Sequence, residues 1–490
     1  AKTSPNVAVY REIFGDSLTP IGAFNALGVE AEGATLLESS EMDRLGRFSF
    51  LHINPYFEFR SKKGEVTIFE EGQERTSLKT PIEELRACQK IEKVAFLHDL
   101  THYTGGLIGF VGYDSVRHFE DIPDRHDVSD DIPDIMFRRY RDTIVFDHQN
   151  GKVVVASLAK KGKTLKASYD AAMSRIGHIS ELLLKKEELR GEEEKDKFLL
   201  ELGQIDTVKA LEKESHLIEE ELSDDEFKAL VVKAKSYIRR GDVFQVVLSR
   251  SFKRACSVDP FDVYRALRLV SPSPYMFYID AGDYVVTGAS PEKQTSLEGE
   301  SIEICPLAGT RPRGSRPDSE IEADLLGDQK ECAEHIMLVD LARNDLGRVS
   351  LAGSVNVDEL MQVQKFSHVM HLSSTVSSTR EPGQDTFDIL TASFPAGTLS
   401  GAPKIRAMEI IDELEQSRRG VYGGAVCSID GEGNLNSCIA IRTAVICNGV
   451  ATVRAGAGIV ADSDPTMEAQ ETKHKAQSVM DALALAERGV

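Results

Sequence analysis

Toward its C-terminal end the chain reads GAVCSID (424–430), IAIRTAVIC (439–447) and ATVRAGAGIV (451–460), and then Asp464-Pro465. The three apolar runs are rich in β-branched residues and broken by turn-forming residues, so they read as consecutive strands. Asp464 is a helix cap and Pro465 a natural first helical residue, so a helix follows. Working upstream, FQVVLSR (244–250), MFYIDA (276–281), DYVVTGA (283–289) and IEICPLAG (302–309) read as further strands. Ser223-Asp224-Asp225-Glu226 is a capping-box pattern, which predicts a helix through Arg240 that stops at Gly241. A longer helix is expected from about Ile321 to Gly347. The pattern is that of a mixed α+β chain.

The N-terminal part carries its own strands: ATLLES (34–39), FSFLHI (48–53), EVTIFE (65–70), TIVFDH (143–148) and KVVVASLA (152–159). His148-Gln149-Asn150-Gly151 reads as a hairpin turn, and TGGLIGFVGY (104–113) as a buried, glycine-punctuated strand. Glu and Lys then crowd the chain, as in KKEELRGEEEKDKFLLELG (185–203). The expected organisation is an N-terminal domain over 1–180, an acidic connector over 181–222 and a second domain over 223–490.

The chain has 490 residues and a formal net charge of −21. That balance argues against nucleic acid or an anionic membrane as partner, because phosphate binding needs clustered Lys and Arg. A small anionic substrate needs only a locally positive pocket. Seven cysteines without a CxxC spacing read as reduced thiols of a cytosolic protein. The N-terminal AKTSPNVAVY does not read as a signal peptide, and no apolar run reaches a membrane span of about 20 residues.

Glu331 and Glu334 are three apart on the long helix and share a face, with Ile336, Met337, Val339 and Leu341 expected opposite. Glu468, Glu471 and Lys475 share a face of the last helix. Carboxylates in such pairs suit magnesium, although Glu pairs on helices are ordinarily solvated. Gly397–Lys404, Gly420–Gly424 and Gly456–Gly458 combine backbone freedom with polar groups that can hold a carboxylate; each also reads as a tight turn. Lys404 and Arg406 read as facing solvent or a partner. Gly309–Gly314 has the interval of a phosphate loop but is followed by Ser315-Arg316, where a Lys-Ser or Lys-Thr ending is required. His368 and His371 find no companions for zinc. No Cys lies in a Gly-x-Cys-x-Gly turn, so a glutaminase nucleophile is missing.

The wording and order of these segments are more specific than any one of them. PLAGTRPRG (306–314), ECAEHIMLVDLARNDLGRV (331–349), VMHL (369–372), FPAGTLSGAPKIRAM (394–408), YGGAV (422–426), IRT (441–443), AGAGIV (455–460) and ETKHKA (471–476) resemble the chorismate-utilising enzymes. LLES (36–39) extends the resemblance toward the N-terminus. It implies large antiparallel sheets packed as a sandwich with helices outside. Ala308 stands where aminodeoxychorismate synthases commonly carry a nucleophilic Lys. Gln245 stands where isochorismate and salicylate synthases carry a water-activating Lys. A neutral amide is a poor base, so ammonia should be preferred to water, which points to the anthranilate synthase large-subunit branch. The alternatives are aminodeoxychorismate synthase component I and a catalytically silent allosteric subunit.

That branch implies conversion of chorismate and ammonia to anthranilate and pyruvate, in tryptophan biosynthesis, with Mg²⁺. It assigns the metal to Glu334 and Glu471, with Glu331 and Glu468 close by. Tyr422, Arg442, Gly456 and Gly458 would hold a substrate carboxylate. Glu292 would be the general acid, His371 would assist pyruvate loss, and Thr310 and Thr398 would orient the substrate beside Gly309. Lys475 would balance charge near the metal. The resemblance also implies a glutaminase partner in a hetero-oligomer, and feedback inhibition by tryptophan at Glu38, Ser39, Pro274, Tyr275 and Met276. Ser271 departs from the family there, where Asn is usual.

Overall fold

The structure is a computed structural model that describes residues 6–489 except 16, 41–45, 92–93, 96–103, 128–130, 161–163, 186–216, 315 and 366–368. Most of the expected acidic connector, and His368 and Ser315, therefore lie outside the described residues.

Strands dominate, and their ladders are antiparallel apart from the short pairing of Asn6–Phe14 with Val94–Ala95. The ladders form two arms. From Phe48–Lys62 one arm passes through Thr35–Glu38, Tyr275–Asp280, Tyr284–Ser290, Thr443–Cys447 and Val450–Ile459 to Gln245–Ala255. From Ile135–Asp147 the other passes through Leu107–Val111, Ala425–Ile429, Leu435–Ile439, Lys293–Glu298 and Ser301–Ile304 to Val369–Thr379. Phe48–Lys62 and Ile135–Asp147 pair with each other and join the arms. Two of these ladders cross from the N-terminal half of the chain to the C-terminal half, so both halves build both arms.

The arms face one another. Phe110, Val426 and Cys438 from one pack with Phe277, Ile279, Tyr284 and Val286 from the other in a core made only of strand and loop side chains. This is the expected sandwich, and close approach is built into it. At Gly109 a Cβ would fall 1.9 Å from the carbonyl oxygen of Met136, so only glycine fits. Helices cover the outer faces. Pro260–Val270 and Pro465–Ala486 bury Tyr264, Leu267, Val479 and Leu483 in one outer core. Asp224–Arg239, Gln329–Gly347 and Lys404–Leu414 contribute Phe227, Val231, Val339, Leu346, Met408 and Ile411 to the other. A helix, Leu165–Lys185, leads up to the charge-rich stretch, and its Ala172, Ile176, Ile179 and Leu183 are buried.

The terminal signals hold locally. Ser223 and Glu226 form the capping box, and Asp464 caps a helix that starts at Pro465. The hairpin at His148–Gly151 joins Ile135–Asp147 to Lys152–Lys160. Five expectations change. The long helix is two, Asp318–Gly327 and Gln329–Gly347, because the Asp328 carboxylate accepts from the Lys330 and Glu331 amides and starts the second one afresh. IEICPLAG divides into Ser301–Ile304 and Leu307–Pro312 around Pro306, and IAIRTAVIC breaks at Arg442, which sits at φ +49°. The inner face of Gln329–Gly347 is His335, Leu338, Val339, Ala342 and Leu346, while Ile336 is exposed. Lys404 does not face solvent: it forms a 2.7 Å ion pair with the buried Asp345.

Candidate active site

The break at Arg442 has a purpose in the fold. A left-handed residue interrupts the strand, and the half-buried guanidinium comes within the electrostatic reach of Glu292 and His371. Glu292 follows the end of Tyr284–Ser290. It is buried, and Thr398 Oγ1 donates to its Oε1 at 3.0 Å. Burial pushes the carboxyl up to about 7, against smaller opposing effects from Thr398, the Leu307 amide, Lys475 and Arg442. A carboxyl poised there can give up a proton at neutral pH.

His371 stands on Val369–Thr379, across from Leu307–Pro312. Its Nδ1 is 2.8 Å from the Gly309 carbonyl and 3.1 Å from Thr310 Oγ1. A carbonyl only accepts, so Nδ1 carries the proton and Nε2 is the basic nitrogen. Burial lowers the proton affinity of the ring, so it is neutral and ready to accept.

Gln245, Tyr422, Gly456 and Gly458 form a third wall. A Cβ on Gly456 would lie 2.7 Å from the Tyr422 hydroxyl, and one on Gly458 would lie 2.8 Å from Gln245 Nε2. Glycine lets both side chains close on the strand. Gln245 is buried, and its Oε1 accepts from no group among the described residues. Lys475 Nζ donates to the Gly456 carbonyl at 3.1 Å and pairs with Glu471 at 2.7 Å, tying this wall to the last helix.

The acidic residues follow. Glu331 stands beside Gly309 and faces Arg311. Burial raises the proton affinity of Glu334, with Glu331, Glu471 and Asp328 adding to it; burial and Glu471 act the same way on Glu468. The two helices thus bring these carboxylates into one another's field, with Lys330 and Lys475 close by. Among the described residues no three acidic, His or Cys groups converge as a ready-made metal cluster. Magnesium needs only one or two carboxylates beside water and substrate oxygens, so this donor set suits it.

Beneath these walls lies a group that sequence reasoning did not find. Glu415 and Arg419 are fully buried. Arg419 donates to Glu415 at 2.6 and 3.0 Å, to the Leu399 carbonyl at 2.6 Å and to the Val247 carbonyl at 2.7 Å. Its guanidinium also lies over the rings of Tyr113 and Tyr422. Glu415 takes further bonds from the Ser249 amide, the Ser249 hydroxyl and Arg454. Burial alone would raise this carboxyl; the two guanidiniums outweigh it and hold it down.

A cavity of about 90 Å³ lies elsewhere in the sandwich. Glu38, Ser39, Pro274, Tyr275 and Met276 all line it, together with Phe48, Phe50, Ser428 and Asn436, which the sequence did not suggest. The Glu38 carboxylate accepts from Tyr264 at 2.5 Å and pairs with Arg268 at 3.0 Å. Ser428 Oγ and Asn436 Oδ1 have no partner among the described residues. Ser271 closes the helix Pro260–Val270, and its carbonyl accepts from Ser273.

The sequence model of the family described as chorismate binding enzyme matches residues 34–481. Anthranilate synthase component 1 of Acetivibrio thermocellus is 40% identical over 488 residues, covering 99% of this chain and 96% of that protein. Anthranilate synthase component 1 of Aquifex aeolicus is 40% identical over 491 residues, with 98% and 95% covered. Among solved structures, anthranilate synthase component I from Streptococcus pneumoniae superposes with a TM-score of 0.75 at 35% identity, covering 96% of this chain and 99% of that one. The menaquinone-specific isochorismate synthase of Escherichia coli shares the fold at 17% identity, with a TM-score of 0.70 and 98% and 95% covered.

Glu292 makes stability depend on pH in a defined direction. Its folded proton affinity, about 7, is above the ordinary 4.5, so the protonated form stabilises the fold. That contribution is complete below pH 4.5 and is lost as pH rises through 7. Urea unfolding at a series of pH values should show the wild type losing of order 3 kcal/mol relative to Glu292→Gln across this window. Parallel curves for the two proteins would contradict the burial argument.

Proposed function

The chain belongs to the chorismate-binding enzymes, and we propose that within them it is the large subunit of an anthranilate synthase, converting chorismate and ammonia to anthranilate and pyruvate. One observation carries the reading: Glu292, a buried carboxyl that holds its proton to about pH 7, lies within the field of Arg442 in the same site as a neutral Gln245. An acid is present for a leaving hydroxyl, and no strong base stands at Gln245 to activate water. Relatives named anthranilate synthase component 1, similar over nearly the full chain, support the same branch.

Arg442 and Tyr422, with the backbone at Gly456 and Gly458, hold the enolpyruvyl carboxylate; a guanidinium suits this because it binds a carboxylate bidentately. Glu334 and Glu471 hold Mg²⁺, with Glu331 and Glu468 nearby. When bound, the cation supplies positive charge to the ring carboxylate of the substrate. Gln245 Oε1, an acceptor without a partner among the described residues, receives an N–H of the incoming ammonia and aims its lone pair. Ammonia bonds to the ring, the double bonds shift, and the ring hydroxyl departs as water with the proton of Glu292. Thr398 keeps that carboxyl in line. In the second step His371, its Nδ1 anchored on Gly309, takes the proton from the ring carbon that bears the new nitrogen; the ring C–O bond breaks, and the enolpyruvyl group leaves as the enolate and takes up a proton to become pyruvate.

The ammonia comes from a partner glutaminase, because the chain has no Gly-x-Cys-x-Gly nucleophile of its own. The two form a hetero-oligomer in the cytoplasm, in keeping with seven free cysteines and no membrane-spanning helix among the described residues. Tryptophan is the feedback inhibitor and occupies the 90 Å³ cavity, where Met276, Phe48 and Phe50 offer an apolar wall for an indole and Glu38 a carboxylate for its ammonium.

Pure chain given chorismate, Mg²⁺ and an ammonium salt should form fluorescent anthranilate and an equal amount of pyruvate. Glutamine should replace ammonium only after a second protein is added. Glu334→Gln should raise the Mg²⁺ needed for half-maximal rate at least tenfold, with ~1.4 kcal/mol or more of binding lost. No anthranilate with ammonium, or turnover of glutamine by the pure chain, would refute the reading. Tryptophan should inhibit the wild type, and Ser39→Phe, which fills the cavity, should be insensitive while keeping its uninhibited rate. Equal inhibition of both would move the inhibitor elsewhere.

A further inference from the structure

A small cavity of about 30 Å³ lies beside Glu292, lined also by Gln294, Thr398, Ser393 and Asp345. Gln294 is 3% exposed, and neither its Oε1 nor its Nε2 has a hydrogen-bond partner among the described residues. Leaving a buried polar group unpaired costs about 1–3 kcal/mol, so an amide with both ends unmet calls for a ligand. The backbone explains how the side chain came to be there. Lys293 pairs with Cys438 and Thr295 with Ser437, so Gln294 is the extra residue of a β-bulge. A bulge releases one residue from the ladder and re-aims its side chain. Much of the remaining wall is apolar, from Ile304, Pro306 and Leu338 among others, so the cavity takes something small and neutral. Its volume is room for one or two water molecules.

We propose that this cavity binds an ordered water that bridges the Gln294 amide and the Glu292 carboxyl, and that Gln294 is thereby a positioning residue for the site's acid. The inference rests on the reading of Glu292 as that acid. The other groups facing Glu292 are Thr398 from its loop, the Leu307 amide, Arg442 and Lys475, with the Asp345–Lys404 pair at the cavity wall. Of these only the Thr398 hydroxyl can turn between donating and accepting, and it sits on Oε1 alone, which leaves the other carboxyl oxygen without such a partner among the groups named. A water can be that partner: Nε2 of Gln294 donates to its oxygen and Oε1 accepts one of its protons. The other proton turns to the carboxylate once Glu292 has released its own. Gln294 therefore lowers the cost of the charge that forms on Glu292 as the hydroxyl leaves.

The test uses the full chain. A high-resolution crystal structure of the wild type should show a water within about 3 Å of both side chains. Gln294→Leu, similar in volume and without polar atoms, should expel it. Infrared titration of the Glu292 carboxyl, identified by its absence in Glu292→Gln, should then move up by about one pH unit in Gln294→Leu. In the same variant kcat should fall about tenfold with little change in the KM for chorismate. A dry cavity in the wild type, or the same Glu292 titration in both proteins, would overturn the proposal. Neither readout needs turnover. A bound water and a shifted titration in a chain that makes no anthranilate would sink the functional reading and leave only the water bridge between Gln294 and Glu292 standing.

Discussion

One buried ion pair holds the site together. Arg419 spends its donors on Glu415, on the carbonyl beside Thr398 and on the strand that begins with Gln245, while its face lies near the ring of Tyr422. Glu415 in turn holds Ser249, which pairs with Gly456. Four pieces of the site, far apart in sequence, thus meet at two side chains. Removing one partner of such a pair leaves an uncompensated buried charge and costs about 3–5 kcal/mol. The planar guanidinium matters as much as its charge, because three directions of donation are fixed at once.

The two arms of the sandwich then explain how the cavity beside Glu292 and the one beside Glu38 share a framework. Cys438 lines the larger cavity and the next residue, Ile439, lines the smaller one. Successive residues of a strand point to opposite faces, so one strand forms a wall of both. The Ile439 amide donates to the Glu292 carbonyl, and Val426 to Ser428 of the larger cavity follow closely on Tyr422. Anything that moves these strands is felt at Glu292 and Tyr422.

Much of this was legible in residue order, for different reasons in different places. The capping box at Ser223 and the Asp464-Pro465 start are local physics and needed no tertiary information. The carboxylates of the two helices were legible as faces, since three- and four-residue spacing survives folding. The sandwich itself was legible only through resemblance, which also marked Glu292, Arg442 and His371 as candidates. What could not be read were features in which tertiary contacts override a local pattern. Glu415 and Arg419 have the i, i+4 spacing of an ordinary surface helix pair, yet they lie past the end of Lys404–Leu414 and are wholly buried. Lys404 looked solvated because nothing nearby in sequence is its partner; Asp345 is 59 residues away. Arg442 looked like mid-strand because its left-handed backbone is set by the loop around it. Gln294 carries no signal at all, since a bulge depends on the partner strand.

The Glu415–Arg419 pair holds the chorismate site in shape as well as supporting the fold. Arg419→Lys tests it most directly, because it keeps the charge and removes the fixed fork. The measurement is kcat/KM for chorismate with ammonium and Mg²⁺, at a temperature where unfolding curves show wild type and variant both fully folded. A fall of at least tenfold is expected, equivalent to about 1.4 kcal/mol of transition-state stabilisation. An unchanged kcat/KM in a folded Arg419→Lys protein would contradict it.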